Sequence, residues 1–147
     1  MDELLLNLHR LFVLLWIVSV AGELFLSSTG RKLEEDLLTA RTALLDKVSK
    51  AGRAAGGMMT LLGLGLVFVV GNYEITENWI LLKIAMLVGA MAVGAVLNGK
   101  VYERIKDKPE DPRAVKDDYG QITRNSSIIL GFAAIAVFSA LTKLGAY

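Results

Sequence analysis

The 147-residue chain has no cysteine, one histidine and two prolines, and its formal net charge is only +1. Each scarcity removes a class of chemistry. Without thiols there is no disulfide, thiolate metal site, iron–sulfur cluster or thiol redox reaction, and the redox compartment stays open. With His9 as the one histidine, bis-histidine haem within a protomer is excluded. The serines and threonines of "LSSTG" and "TRNSS" have no histidine beside them for a nucleophilic triad and read as helix caps. The apolar blocks hold no phosphate loop, dinucleotide fingerprint or metal-spaced carboxylates. No catalytic residue, metal site or nucleic-acid partner is therefore assigned.

What the chain has instead is apolar sequence. Hydrophobic residues make up 54% of it, and the mean hydropathy is +0.50, above that of an ordinary soluble domain. The excess falls in four blocks, at about residues 4–28, 54–73, 79–99 and 125–143. The second is uncharged between Arg53 and Glu74, the fourth between Arg124 and Lys143. Each block approaches the roughly 20 residues that cross a ~30 Å hydrocarbon core. A soluble bundle needs a polar face on every helix, and these two blocks have none. The expectation is an all-α, single-domain integral membrane four-helix bundle, multi-pass in the cytoplasmic membrane, with the lipid bilayer as its first partner. The start Met1-Asp2-Glu3 is not the positive region of a signal peptide, so the first block reads as a retained helix.

Charge sets the orientation. Arg31, Lys32, Arg41, Lys47, Lys50 and Arg53 lie between blocks one and two, and the connection between blocks three and four is as basic. The short "GNYEITEN" between blocks two and three has no Lys or Arg. By the positive-inside rule the two long connections are cytoplasmic and both termini are outside. Leu33, Leu37, Leu44, Val48 and Ala51, with Leu38 and Leu45 beside them, recur at helical spacing. They predict an amphipathic cytoplasmic helix that either lies at the headgroups or extends its neighbours. The second connection, "KDKPEDPRAVKDDYG", predicts a loop with helical shoulders. Small-xxx-small pairs, among them Ala85/Gly89, Ala90/Gly94, Ser127/Gly131 and Ala136/Ala140, offer faces for close helix packing and for a homo- or hetero-oligomer.

Ionisable groups inside the blocks are the candidates for function. His9, Trp16 and Glu23 are seven residues apart, so they share one helix face within about 40°. Lys83 lies about 6 Å below the start of block three, near the depth of His9, and Met86 is within a turn of it. His9 and Lys83 together suit an anionic or carbonyl-bearing ligand such as a quinone or a porphyrin propionate. A His9/Met86 pair is the haem ligation open to this chain. Against this, Lys83 and Arg10 are near enough to the surface to snorkel, and a lone helix histidine is often a packing residue. Glu23 is close to the inner surface, where Arg53 and Arg124 are its candidate ion-pair partners and a proton its alternative cargo.

"LHRLFVLLWIVSVAGELFLSS", "GRAAGGMMTLLGLGLVF" and "NWILLKIAMLV" resemble helices one to three of the copper-resistance D and HemJ-like group of small membrane proteins. The resemblance implies copper handling, or haem-assisted oxidation of a porphyrinogen coupled to membrane electron carriers. His9 and Lys83 would be the matching polar positions. The chain departs from that group in lacking a second helix-borne histidine and an embedded arginine in helix two, and in having Glu23 where a small or apolar residue is expected. Three functions follow as expectations: a bundle that binds haem, quinone or metal near His9 and Lys83, a structural or accessory subunit of a membrane complex, or a proton-coupled transporter using Glu23.

Overall fold

The computed structural model describes residues 2–69, 78–107 and 111–144, and all of the regular structure among them is helical. The helices are α1 (Asp2–Gly30), α2 (Glu35–Phe68), α3 (Asn78–Met91), a π-helical segment (Ala92–Asn98), α4 (Gly99–Asp107) and α5 (Pro112–Leu144). The run from α3 through the π segment to α4 is one continuous rod, Asn78–Asp107, so the described residues form four long rods. All four are long and apolar enough to cross a membrane. The "GNYEITEN" connection lies, apart from Asn78, outside the described residues.

Local chemistry sets the helix ends at the two long connections. After Gly30 a turn closes with Lys32 and Leu33 donating to the carbonyls of Thr29 and Gly30, and α2 begins with Glu35 and Asp36 against its positive dipole end. Asp111 caps α5: its carboxylate accepts from the Arg113 and Ala114 amides at 3.1 and 3.2 Å, with Pro112 in the first helical position.

α2 has 34 residues and is about 51 Å long, roughly 20 Å more than a hydrocarbon core. The predicted amphipathic segment is the first half of this unbroken helix. Leu38, Leu45, Ser49 and Gly52 are buried, Leu33 and Val48 pack against the same core from its edge, and Leu37 and Leu44 are exposed. The interior at this end takes small and polar side chains as well as leucine, so apolar spacing alone does not mark out the whole buried face. Likewise "TRNSS" is not a cap. It lies well inside α5, where Asn125 and Ser126 are buried.

α1 packs on α2 and on α5, and α3 packs on α5. The best-sealed core is at the end with the two long connections, where Leu45, Tyr119 and Ile122 are completely buried among Leu26, Leu38, Val101 and Ile105. Tyr119 fastens α5 to α2 through a 2.7 Å hydrogen bond between its hydroxyl and that of Thr42. Arg104 fastens α4 to α5 by donating to Asp118 at 2.7 Å and to Gln121 at 2.9 Å. A smaller cluster of Val20, Ala90 and Ile129, with Trp16 and Phe132 beside it, joins α1, α3 and α5. Away from these clusters the outer surface is apolar, with Phe25, Leu61, Phe68 and Phe138 all more than 60% exposed. A surface of that kind suits lipid rather than water.

Candidate functional site

The seven-residue stripe of α1 meets a matching stripe on the antiparallel α2. His9 packs on Gly63, Trp16 on Gly56, and Glu23 lies against Ser49, three small residues that are themselves seven apart. A Cβ added at Gly63 would fall 3.1 Å from His9 Cε1, and one at Gly56 would fall 3.2 Å from Trp16 Cδ1. Ser19 fits over Gly52 in the same way, with 3.0 Å between such a Cβ and Ser19 Cβ. The glycines of α2 are thus seats for the polar and aromatic stripe. Close approach of two backbones is what small residues provide where lipid gives no hydrophobic drive between helices.

At one end of the stripe, His9 is half-buried and its Nδ1 is 3.0 Å from the Met59 carbonyl oxygen. A carbonyl only accepts, so Nδ1 carries the proton, and a neutral ring then has its free lone pair on Nε2. Lys83 and Arg10 are close enough to act electrostatically on the ring. Lys83 is half-buried on α3 with its ammonium 4.4 Å from the Trp79 ring centroid, a cation–π contact. Met86, also half-buried, follows on the same helix. His9 and Lys83 thus lie within electrostatic range of each other.

At the other end, Glu23 is 6% exposed at the meeting of α1, α2, the π segment and α5. Its Oε2 accepts from Asn98 Nδ2 at 3.4 Å and from Ser126 Oγ at 3.3 Å. Asn98 Oδ1 in turn accepts from Asn125 Nδ2 at 2.9 Å. One turn away, Ser27 and Thr123 share a 2.9 Å hydroxyl bond between α1 and α5. Neither Arg53 nor Arg124 forms an ion pair with Glu23 among the described residues. Arg53 is exposed but near enough to attract the carboxylate, and Arg124 is exposed on α5. Neutral donors, rather than an arginine, hold this group.

The π segment has a direct part in this. Its wider turn changes the phase of the rod, so that Gly94 sits by Ile129 while Asn98 is buried at the junction and Tyr102 and Ile105 turn into the core. Tyr102 is 4% exposed, lies beside Ser49, and its buried hydroxyl makes no hydrogen bond of good geometry among the described residues. Sequence reasoning missed Ser49, Asn98, Asn125, Ser126 and Tyr102. A trace was present: Asn98 and Asn125 are single amides at the ends of apolar blocks three and four.

Fold and site together define a four-helix protein with apolar outer faces, suited to a membrane, and a polar seam along α1. No family model, curated protein or solved structure matches the chain. No group of three or more His, Cys, Asp or Glu side chains able to hold a metal ion occurs among the described residues.

Proposed function

We propose that the chain is a multi-pass protein of the cytoplasmic membrane, of the copper-resistance D and HemJ-like type, that holds a haem or a quinone at His9 and Lys83. Both termini lie outside in this reading, and the two long basic connections are cytoplasmic. The observation that carries it is the bond between His9 Nδ1 and the Met59 carbonyl. Ligating histidines are commonly oriented by such a bond through the other ring nitrogen, which fixes the ring and raises the basicity of the free one. Were a haem bound, His9 through Nε2 and Met86 would be the side chains to hold its iron and Lys83 the one to pair with a propionate. For a quinone couple, the Lys83 ammonium is a donor to the carbonyl form and Nε2 an acceptor from the hydroxyl form. When bound, either group would supply electron transfer, while His9 and Lys83 would hold and orient it.

The test is an absorption spectrum from 350 to 700 nm of protein in mild detergent, oxidised and reduced, with extraction and assay of bound quinone. The proposal expects a Soret band or a stoichiometric quinone that is lost in His9→Ala and weakened in Lys83→Leu. A featureless spectrum with no quinone in a folded protein refutes it.

A second reading, proton-coupled transport through Glu23, draws on the burial of that carboxylate among neutral donors. In it Glu23→Gln abolishes pH-dependent uptake in vesicles without loss of folded protein. Uptake unchanged by that substitution removes it.

A further inference from the structure

Between α2 and the rod formed by the π segment and α4 lies a cleft of about 420 Å³, at the end of the bundle with the two long connections. Arg53, Lys100 and Lys106 line it against one acid, Glu103. Lys106 is partly committed, 3.4 Å from Asp46, which Lys50 also pairs. Arg53 and Lys100 are exposed and form no ion pair among the described residues.

Their positions in the chain are as informative as their charge. Arg53 immediately precedes the uncharged stretch of α2 that ends at Phe68, and Lys100 immediately follows the uncharged stretch from Ile84 to Gly99. Two free cations on different helices thus face one cleft at the level where the apolar surface of both helices ends. Ala95 and Val96, both exposed, line the cleft on the apolar side of Lys100, about a turn away. Cations above and small apolar side chains below match the profile of a phosphate-bearing amphiphile, whose anionic head stands at the interface and whose chains run down the helix. Basic pockets between membrane helices recognise anionic headgroups in this way, and arginine meets a phosphate with two parallel donors.

We propose that this cleft binds the phosphate of an anionic lipid, with Arg53 and Lys100 holding the phosphate and Ala95 and Val96 bordering the start of the chains. The inference rests on the membrane assignment but not on a ligand at His9. The cleft also adjoins the Glu23 junction, since Tyr102 forms part of its wall and Arg53, which lines it, is near enough to Glu23 to attract the carboxylate.

The experiment is native mass spectrometry of the full chain released from mild detergent, titrated with phosphatidylglycerol or phosphatidylcholine. Wild type is expected to retain phosphatidylglycerol in preference to phosphatidylcholine. The double variant Arg53→Gln/Lys100→Gln should lose that retention by about tenfold or more, as removal of two headgroup cations requires. Lys47→Gln, an exposed cation elsewhere on α2, should leave it unchanged, and Glu103→Gln should increase it, which keeps the test informative if the double variant folds poorly. Displacement of the lipid by millimolar inorganic phosphate would show that free phosphate alone satisfies the site. Failure to displace it, with sensitivity to Arg53 and Lys100 intact, assigns the lipid. Equal retention of the two lipids, or retention in the double variant equal to wild type, overturns the proposal.

Discussion

If the glycines of α2 seat the side chains of α1, replacing them with alanine should cost stability in proportion to how little room each seat leaves. Gly57, next to Gly56 but with nothing within 4 Å of an added Cβ, is the internal control. Alanine is the better helix former by about 0.8–1 kcal/mol, so Gly57→Ala should stabilise the protein by up to that amount. At Gly52 the new methyl would stand 3.0 Å from Ser19 Cβ, an atom fixed to the backbone that no rotamer change can move. The helices must then part, and overpacking of this kind costs about 1–3 kcal/mol, enough to overcome the propensity gain. Gly63→Ala, 3.1 Å from the ring of His9, should be intermediate, because the ring must leave its bond to Met59. Gly56→Ala should be mildest of the three, since its neighbour at 3.2 Å is an indole edge able to rotate slightly. Thermal and SDS-induced unfolding in mild detergent, followed by circular dichroism, measures the series. A Gly52→Ala protein as stable as Gly57→Ala would refute the register.

Glu23→Leu strands the Asn98 amide and the Ser126 hydroxyl without an acceptor and should cost about 1–3 kcal/mol more than Glu23→Gln, which keeps one; equal unfolding midpoints would show that those bonds contribute nothing. Gly30→Ala would place a methyl 2.7 Å from Cδ2 of the fully buried Tyr119, whose hydroxyl is tied to Thr42, and should destabilise by roughly 2–3 kcal/mol in the same assay. A neutral result would mean that the Tyr119 ring is free to move. Asp111→Ala removes the acceptor for two amides at the start of α5 and should cost about 1 kcal/mol, largely restored in Asp111→Asn.

The helices were legible because hydropathy reports a one-body property: whether a stretch of backbone can leave water. The α1 stripe was legible for a similar reason, since spacing by seven fixes a face without knowledge of what that face meets. The partners were not. Ser49 and Gly52 look unremarkable in a basic connection, and only the antiparallel register with α1 sets them opposite Glu23 and Ser19. Asn98 owes its inward direction to a π-helical segment, a change of phase that the sequence "AVGAVLN" does not announce. Asn125 and Ser126 sit where the hydrophobic block begins, which suggested a helix start, but the helix itself begins at Pro112. An ion pair of Glu23 with Arg53 or Arg124 was expected from depth alone, and depth does not say which residues fill the space between.

If the protein is the multi-pass membrane protein proposed, all four rods cross the bilayer with both long connections on one side. A chain without cysteine allows a direct test by single substitutions at exposed positions: Lys32 after α1, Asp107 at the end of α4, and Val69 at the end of α2. In intact cells a membrane-impermeant maleimide should label Val69→Cys, and should reach Lys32→Cys and Asp107→Cys only after permeabilisation. Labelling of Lys32→Cys and Asp107→Cys from opposite sides, or recovery of all three proteins in the soluble fraction, would rule out this topology.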